Sequence, residues 1–363
     1  MINLDELLAE AAAHAASDIH FKAGNPPVLR VDGKLVRLEG DPLSAEQCEE
    51  VLDQILTEEQ LDAFRREKEL DVPHLLHGVS RFRVNVSKEK GNVRIVFRLI
   101  PLQIPTVDEL QLPAILKDLV KKQYGLVLVT GATGMGKSTT LASMVNEINR
   151  LAGVHIVTVE DPIEFVHTDQ EGIVTQRQLR IDTHSFGDAL RAVLRQDPDV
   201  ILVGEMRDAE TVQAALSAAE TGHLVLSTMQ TNDAVETVHR ILDFFDDSKQ
   251  RLVRAQFATC LRGIVSQRLI PRREGAGRIA ACEVLIGTRT VKDLILAATD
   301  THQVHKLMEE GKGIYGSQTF DQALYDLWES ESISQRTALE YASNPQDLSL
   351  RFRGFKPGKM VKT

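Results

Sequence analysis

Apolar positions near the start of the chain recur at helical spacing. Ile2, Leu4, Leu7, Leu8, Ala11 and Ala12 place one apolar stripe on a helix within residues 2–16. The period then changes. Asp18–Lys22 and Val28–Leu38 read as strands, and Asp32-Gly33 is a two-residue hairpin turn within the second of them. Ser44-x-x-Gln47 and Thr57-x-x-Gln60 are capping boxes that open two consecutive helices. Arg81–Val86 and Val93–Leu99 alternate in character around Lys90-Gly91-Asn92, which predicts a second hairpin.

The pattern shifts again after three prolines in PLQIPTVDELQLP, residues 101–113, which reads as a linker. Beyond it, short and wholly apolar runs alternate with helical segments. They lie at Leu126–Thr130, Ile156–Val159, Val200–Val203 and Leu224–Leu226. Runs of this kind are buried on both faces, as in a mostly parallel sheet between helices. From about residue 285 the chain is helical and polar, and it ends in a basic tail, FRGFKPGKMVKT. The division expected is therefore an N-terminal α+β domain (1–100), the linker (101–113), an α/β core (114–285) and a helical end with its tail (286–363).

Composition narrows the classes little. The 363 residues suffice for about two domains. A net charge of −10 and 5% aromatic content, with no basic and aromatic stripe, argue against a partner among nucleic acids. Cys48, Cys260 and Cys282 form no CxxC pair, so the chain reads as reduced and without structural zinc. The start, MINLDELLAE, lacks the marks of a signal peptide, and no run of about 18 apolar residues predicts a membrane span. The expectation is a cytoplasmic protein that reaches a membrane only through a partner.

The chemistry starts at Gly131-Ala-Thr-Gly-Met-Gly-Lys-Ser138, which matches G-x-x-x-x-G-K-[ST] between an apolar strand and a helix. In that context the loop's backbone amides cradle phosphate, Lys137 reaches the β- and γ-phosphates, and the Ser138 hydroxyl is a ligand for Mg²⁺. Gly131, Thr133, Gly134, Met135, Gly136, Lys137, Ser138 and Thr139 are thus the candidate nucleotide-binding residues, with ATP and Mg²⁺ as ligands. Two acidic clusters follow apolar strands. Glu205 ends VILVGE, with Gly204 where an aspartate often stands. It suits either the Mg²⁺ side of a nucleotide site, directly or through water, or a cap on the next helix. Glu160, Asp161 and Glu164 in TVEDPIE suit either a solvated loop or the orientation of an attacking water.

These motifs occur together with LRQDPDVILVGEMRD (194–208), TGHLVLSTMQTN (221–232), SDIH, SRFRVN, QTFDQALYDLW and YASNPQDLSLR. In this order and separation they resemble the type IV pilus retraction ATPases, the PilT and PilU proteins of the secretion-ATPase superfamily, nearly end to end. The resemblance implies a small PAS-like N-terminal domain followed by a RecA-like P-loop ATPase domain. It implies a homo-hexameric ring that acts on an inner-membrane platform protein of the pilus. It also implies catalytic roles: Glu164 activating water, Glu205 on the Mg²⁺ side, and His223 as the first histidine of a conserved box. Arg81 and Arg83, by the same resemblance, are brought to the nucleotide of another subunit, which suits the stabilising of charge on a transferring phosphoryl group. Without the resemblance those two arginines are a solvated strand face. Arg191 and Arg195, four apart on one helix face, equally make an ordinary surface stripe.

Three departures stand out. Gln230 replaces a histidine of the family, and a glutamine hydrogen-bonds without carrying charge. Arg289–Leu296 does not match the family's retraction segment. Ala132 and the QTFDQALYDL ending lie closer to PilU. They raise an alternative, an accessory subunit with weak turnover that docks on a paralogue's ring. The four-cysteine metal cluster of the pilus-assembly ATPases is missing.

Overall fold

The computed structural model describes residues 2–354 apart from Ala15, Asp32, 101–102, 275–276 and 298–300, and the side chains of Thr301 and His302. Asp32 of the Asp32-Gly33 turn, the first two residues of the proline-rich stretch and the tail beyond Gly354 lie outside the described residues. Contacts divide the chain into two units, Met1–Gln103 and Ile104–Thr363.

The first unit runs α1 (Leu4–Ala13), β1 (Asp18–Lys22), β2 (Val28–Val31), β3 (Lys34–Arg37), α2 (Ala45–Ile55), α3 (Glu58–Glu67), β4 (Glu69–Leu76), β5 (Ser80–Glu89) and β6 (Asn92–Ile100). Both expected capping boxes form, Ser44 with Gln47 and Thr57 with Gln60. The strands make one antiparallel sheet in the order β3-β2-β1-β6-β5-β4. The two-residue period of β5 sorts its side chains. Ser80, Phe82, Val84 and Val86 are buried, while Arg81, Arg83, Asn85 and Ser87 are half-buried on the opposite face. The buried face joins Phe82 and Phe97 to Leu8 of α1, Val51 of α2 and Phe64 of α3 in one core. Edge-to-face rings at Phe21–Phe97 (5.5 Å) and Phe82–Phe97 (6.1 Å) fill its centre.

In the second unit α4 (Ile115–Leu119) leads to β7 (Gly125–Thr130), α5 (Lys137–Leu151), β8 (His155–Glu160), β9 (Ile173–Gln178), α6 (Phe186–Val193) and β10 (Val200–Val203). Then come α7 (Ala209–Glu220), β11 (Leu224–Met229), α8 (Ala234–Asp243), α9 (Asp247–Cys260), β12 (Leu261–Pro271) and β13 (Arg278–Ile286). The sheet order is β13-β12-β7-β11-β10-β8-β9, parallel throughout except for β13. This is the α/β, RecA-like arrangement. All six residues of β7 and of β11 are buried, as wholly apolar strands require when helices cover both faces. Leu141, Met144, Val145 and Ile148 of α5 pack on one face; Leu190 of α6, Leu216 of α7 and Phe257 of α9 pack on the other.

The proline-rich stretch does not end at the unit boundary. From residue 104 it folds onto the second unit, with Val107 and Leu112 buried beside Leu116 and Val127. The C-terminal region is helical as its pattern predicts: α10 (Arg289–Ala297), α11 (Thr301–Glu310), α12 (Lys312–Tyr315), α13 (Phe320–Glu329), α14 (Gln335–Tyr341) and α15 (Pro345–Phe352). Leu324, Ile333, Ala338 and Leu348 from this region enclose Ile270 of β12 and Ile279 of β13.

Candidate nucleotide site

Parallel strands direct their C-terminal ends to one edge of the sheet, where loops can hold a ligand. β7 delivers the glycine loop there. Gly131 has φ 145°, and a Cβ on it would lie 2.6 Å from the carbonyl oxygen of Gln267. Only glycine fits so close to β12 with that backbone. The loop then enters α5 without a side-chain cap, so the first-turn amides stay free for an anion. The Lys137 Nζ donates to the carbonyls of Gly131 (2.7 Å) and Ala132 (3.0 Å), which holds the ammonium over the loop. Burial pulls that ammonium below the usual lysine value, and the carboxylates of Glu205 and Glu164 push it back up. The fold thus gathers Lys137, Glu164 and Glu205, from three different loops, within electrostatic reach of one another.

Each carboxylate is held differently. Glu205 follows β10 and sits between two donors, Nε of Arg207 at 2.7 Å and Nε2 of Gln230 at 2.8 Å. Hydrogen bonds to a charged group of this kind contribute about 1.5–3 kcal/mol each. Gln230 therefore reaches the acidic residue itself. Glu164 is exposed, and among the described residues its carboxylate makes no hydrogen bond. The strand end carrying Glu205 and the loop carrying Glu164 lie close together. A Cβ at Gly204 would meet the Val159 carbonyl oxygen at 3.2 Å and the Glu160 Cα at 3.3 Å. That approach is the reason for glycine where an aspartate often stands.

Residues 1–275 match the family model for type II/IV secretion system proteins. The chain belongs to that family. It is 42% identical to the type IV pilus retraction ATPase PilT of Pseudomonas aeruginosa over 346 residues, 95% of this chain and 100% of that protein. It is 40% identical to the type IV pilus ATPase PilU of the same organism over 352 residues, 97% of this chain and 92% of that one. The crystal structure of the pilus retraction motor PilT with bound ADP superimposes with a TM-score of 0.90 at 41% identity, over 96% of this chain and all of the other. As a secretion-system family member with an intact glycine loop, this chain is a P-loop ATPase that binds nucleotide.

Not every residue named from the family resemblance joins this ATPase site. His223 lies at the other end of its strand. It precedes β11, whose start pairs with Gly125 at the start of β7, whereas the glycine loop follows Thr130, opposite Met229. Five strand residues at about 3.3 Å each put His223 roughly 17 Å from the site edge. Its Nδ1 lies instead 3.0 Å from the Ala218 carbonyl oxygen and 3.3 Å from Thr221 Oγ1. Arg81 and Arg83 lie in the first unit, and Arg83 is ion-paired with Asp71 at 3.2 Å. Arg191 pairs with Asp188 and Glu210, both at 2.7 Å, so it belongs to a surface ion-pair network.

Sequence patterns passed over two glutamines that build the site of this family member. Gln267 of β12 donates from Nε2 to the Met135 carbonyl at 2.8 Å and accepts at Oε1 from the Thr140 hydroxyl at 2.8 Å. One amide therefore bridges the glycine loop and the first turn of α5. Gln176 of β9 does similar work on the Glu164 loop. The available signal was an amide within otherwise apolar or extended runs, one in IVSQRLI and two in IVTQRQ.

Proposed function

We propose that this chain is a ring-forming motor that retracts type IV pili by ATP hydrolysis at the interfaces between subunits. The observation that carries the reading is the match to PilT over 95% of the chain, which spans both units. Glu164, exposed and unpaired, is suited to activate the attacking water. Lys137 is suited to the β- and γ-phosphates. The Ser138 hydroxyl and the Glu205 carboxylate offer the hard oxygen donors that suit Mg²⁺, an ion usually held by few protein ligands. When bound, that ion neutralises phosphate charge. Gly131, Thr133, Gly134, Met135, Gly136 and Thr139 line the same loop for the nucleotide. Arg81 and Arg83 act on the nucleotide of a neighbouring copy, which links turnover to movement between the N-terminal domain (1–100) and the core (114–285).

The working assembly is a homo-hexamer in the cytoplasm, seated on an inner-membrane platform protein. No described helix is long and apolar enough to cross a membrane. The test is complementation. In a strain lacking its retraction ATPases, this chain restores twitching motility and the Lys137→Ala chain does not. Equal motility from both would sink the reading.

One observation favours a second reading, an accessory subunit on a paralogue's ring. Gln230 gives Glu205 a neutral partner where the family has a histidine. On that reading the chain alone turns over ATP slowly, and it restores motility only when the paralogue is present.

A further inference from the structure

Glu164 is exposed, and no described side chain steers its carboxylate. Its aim must come from the backbone of its loop, and that backbone is tied down from one side. β9 pairs with β8 in parallel register, Thr158 opposite Gln176 and Glu160 opposite Gln178. The Gln176 amide reaches across this pair into the loop. Its Nε2 donates to the Phe165 carbonyl at 2.8 Å and to Glu160 Oε1 at 3.1 Å. Its Oε1 accepts the His167 N–H at 2.8 Å. Glu160 in turn accepts from the Thr158 hydroxyl at 2.6 Å. Two points of the loop, at residues 165 and 167, are thereby fixed by one amide.

We infer that Gln176 is a positioning residue for hydrolysis: it sets the backbone from which Glu164 addresses the water, and it does not act on nucleotide binding. This rests on the reading of Glu164 as the water-activating carboxylate. The chemistry of the bridge makes the amide hard to replace. It donates twice and accepts once, with neutral atoms only. A carboxylate at position 176 would face Glu160, and an apolar side chain would leave the Phe165 carbonyl and the His167 N–H without partners. Small displacements of a reacting group are costly, since about 1 Å costs on the order of 100-fold in rate. The glycine loop is held separately, by Gln267, so grip on nucleotide is independent of β9.

The test compares Gln176→Leu, Glu164→Gln and the double variant in the full chain. Turnover is measured alongside the affinity for a fluorescent ADP analogue. Gln176→Leu should lower kcat roughly 10- to 100-fold and leave ADP affinity within twofold. In single-turnover assays it should cost nothing further in the Glu164→Gln background, because both changes disable one group. Parent-rate turnover of Gln176→Leu, when Glu164→Gln is slow, overturns the inference and spares the Glu164 reading. A matching loss of ADP affinity, or a second full loss in the double variant, also overturns it. Parent-rate turnover of Glu164→Gln overturns both. Hydrogen exchange on the unaltered protein covers the case of a variant that fails to fold. The His167 amide should exchange as slowly as those of β8, and exchange at loop rates refutes the tie.

Discussion

The two units use their sheets in opposite ways. In the second unit helices cover both faces, so the central strands β7, β10 and β11 are mainly apolar. Its chemistry is driven to the strand ends, where Lys137, Glu164 and Glu205 meet. In the first unit helices cover one face only. The other keeps Arg81 and Arg83 on β5 and Arg98 opposite Arg83 on β6, at positions another molecule can reach. Asp18 is buried there as a local counter-charge, 2.9 Å from Arg98 and 3.8 Å from Arg30. A sheet buried on both faces builds a site within one chain. A sheet with an open face offers charge to a partner.

The largest expected effect tests the first half of that contrast. Lys137→Ala should reduce ATP turnover to background, because the phosphates lose their main cationic partner inside the same chain. Concentration should not rescue it. The second half predicts a different behaviour. Arg81→Ala/Arg83→Ala chains alone should be inactive, yet mixing them with Lys137→Ala chains should restore measurable activity at hybrid interfaces. Absence of recovery in well-mixed rings would place the two arginines outside any shared site.

Stability sharpens the contrast next. Glu283 of β13 lies inside the covered sheet, 1% exposed, with Oε1 accepting the Ala234 N–H at 2.8 Å and Oε2 unpartnered. Burial pushes its carboxyl up to about 7. A folded value above the unfolded one means that the protonated form favours the fold. Stability is full below about pH 4.5 and is lost as pH rises toward 7, by up to about 3 kcal/mol. Glu283→Gln should abolish that slope in denaturation measured from pH 5 to 8. Asp71→Asn, which removes the ion-pair partner of Arg83 on the open face, should shift stability by under about 1 kcal/mol. Comparable effects at both positions would erase the distinction between the faces.

The smallest effect concerns Gln230. Gln230→His should raise turnover a few-fold and add a pH dependence between about 6 and 7.5, where a histidine near its ordinary value gains charge beside Glu205. Superimposable kcat profiles would show that this position only packs.

Much of this was legible in the chain. Wholly apolar runs can only be doubly covered strands, and the four so read all lie in the second sheet. Capping boxes announced α2 and α3 through local bonds that need no tertiary context. β4 was missed because Pro73 and two acids interrupt it, which an edge strand tolerates. β9 lies at the other sheet's edge, half-exposed and without alternation, so nothing in its pattern marks it. The same physics explains the site. Spacing identifies a loop that must turn tightly around phosphate, and it exposed the glycine loop at once. Spacing is blind to Gln176, whose partners lie 9 to 16 residues before it on a neighbouring strand and loop, and to Gln267, whose partners are 127 and 132 residues away. His223 shows the converse: a motif can name a residue without saying at which end of a strand it sits.

β12 carries a practical consequence for anyone recombining these motors. Within a few residues it grips the glycine loop through Gln267, pairs with β13, and sends the Arg268 guanidinium to the Tyr341 carbonyl at 2.9 Å and over the Phe320 ring at 3.8 Å. The nucleotide-gripping half and the helical end are therefore not interchangeable cassettes that meet at residue 260. A splice made after Ile286 keeps β12 and β13 with the core and asks only the graft's helices to match. A splice made before Leu261 imports a foreign strand beside the glycine loop, and grip on ATP then travels with the graft.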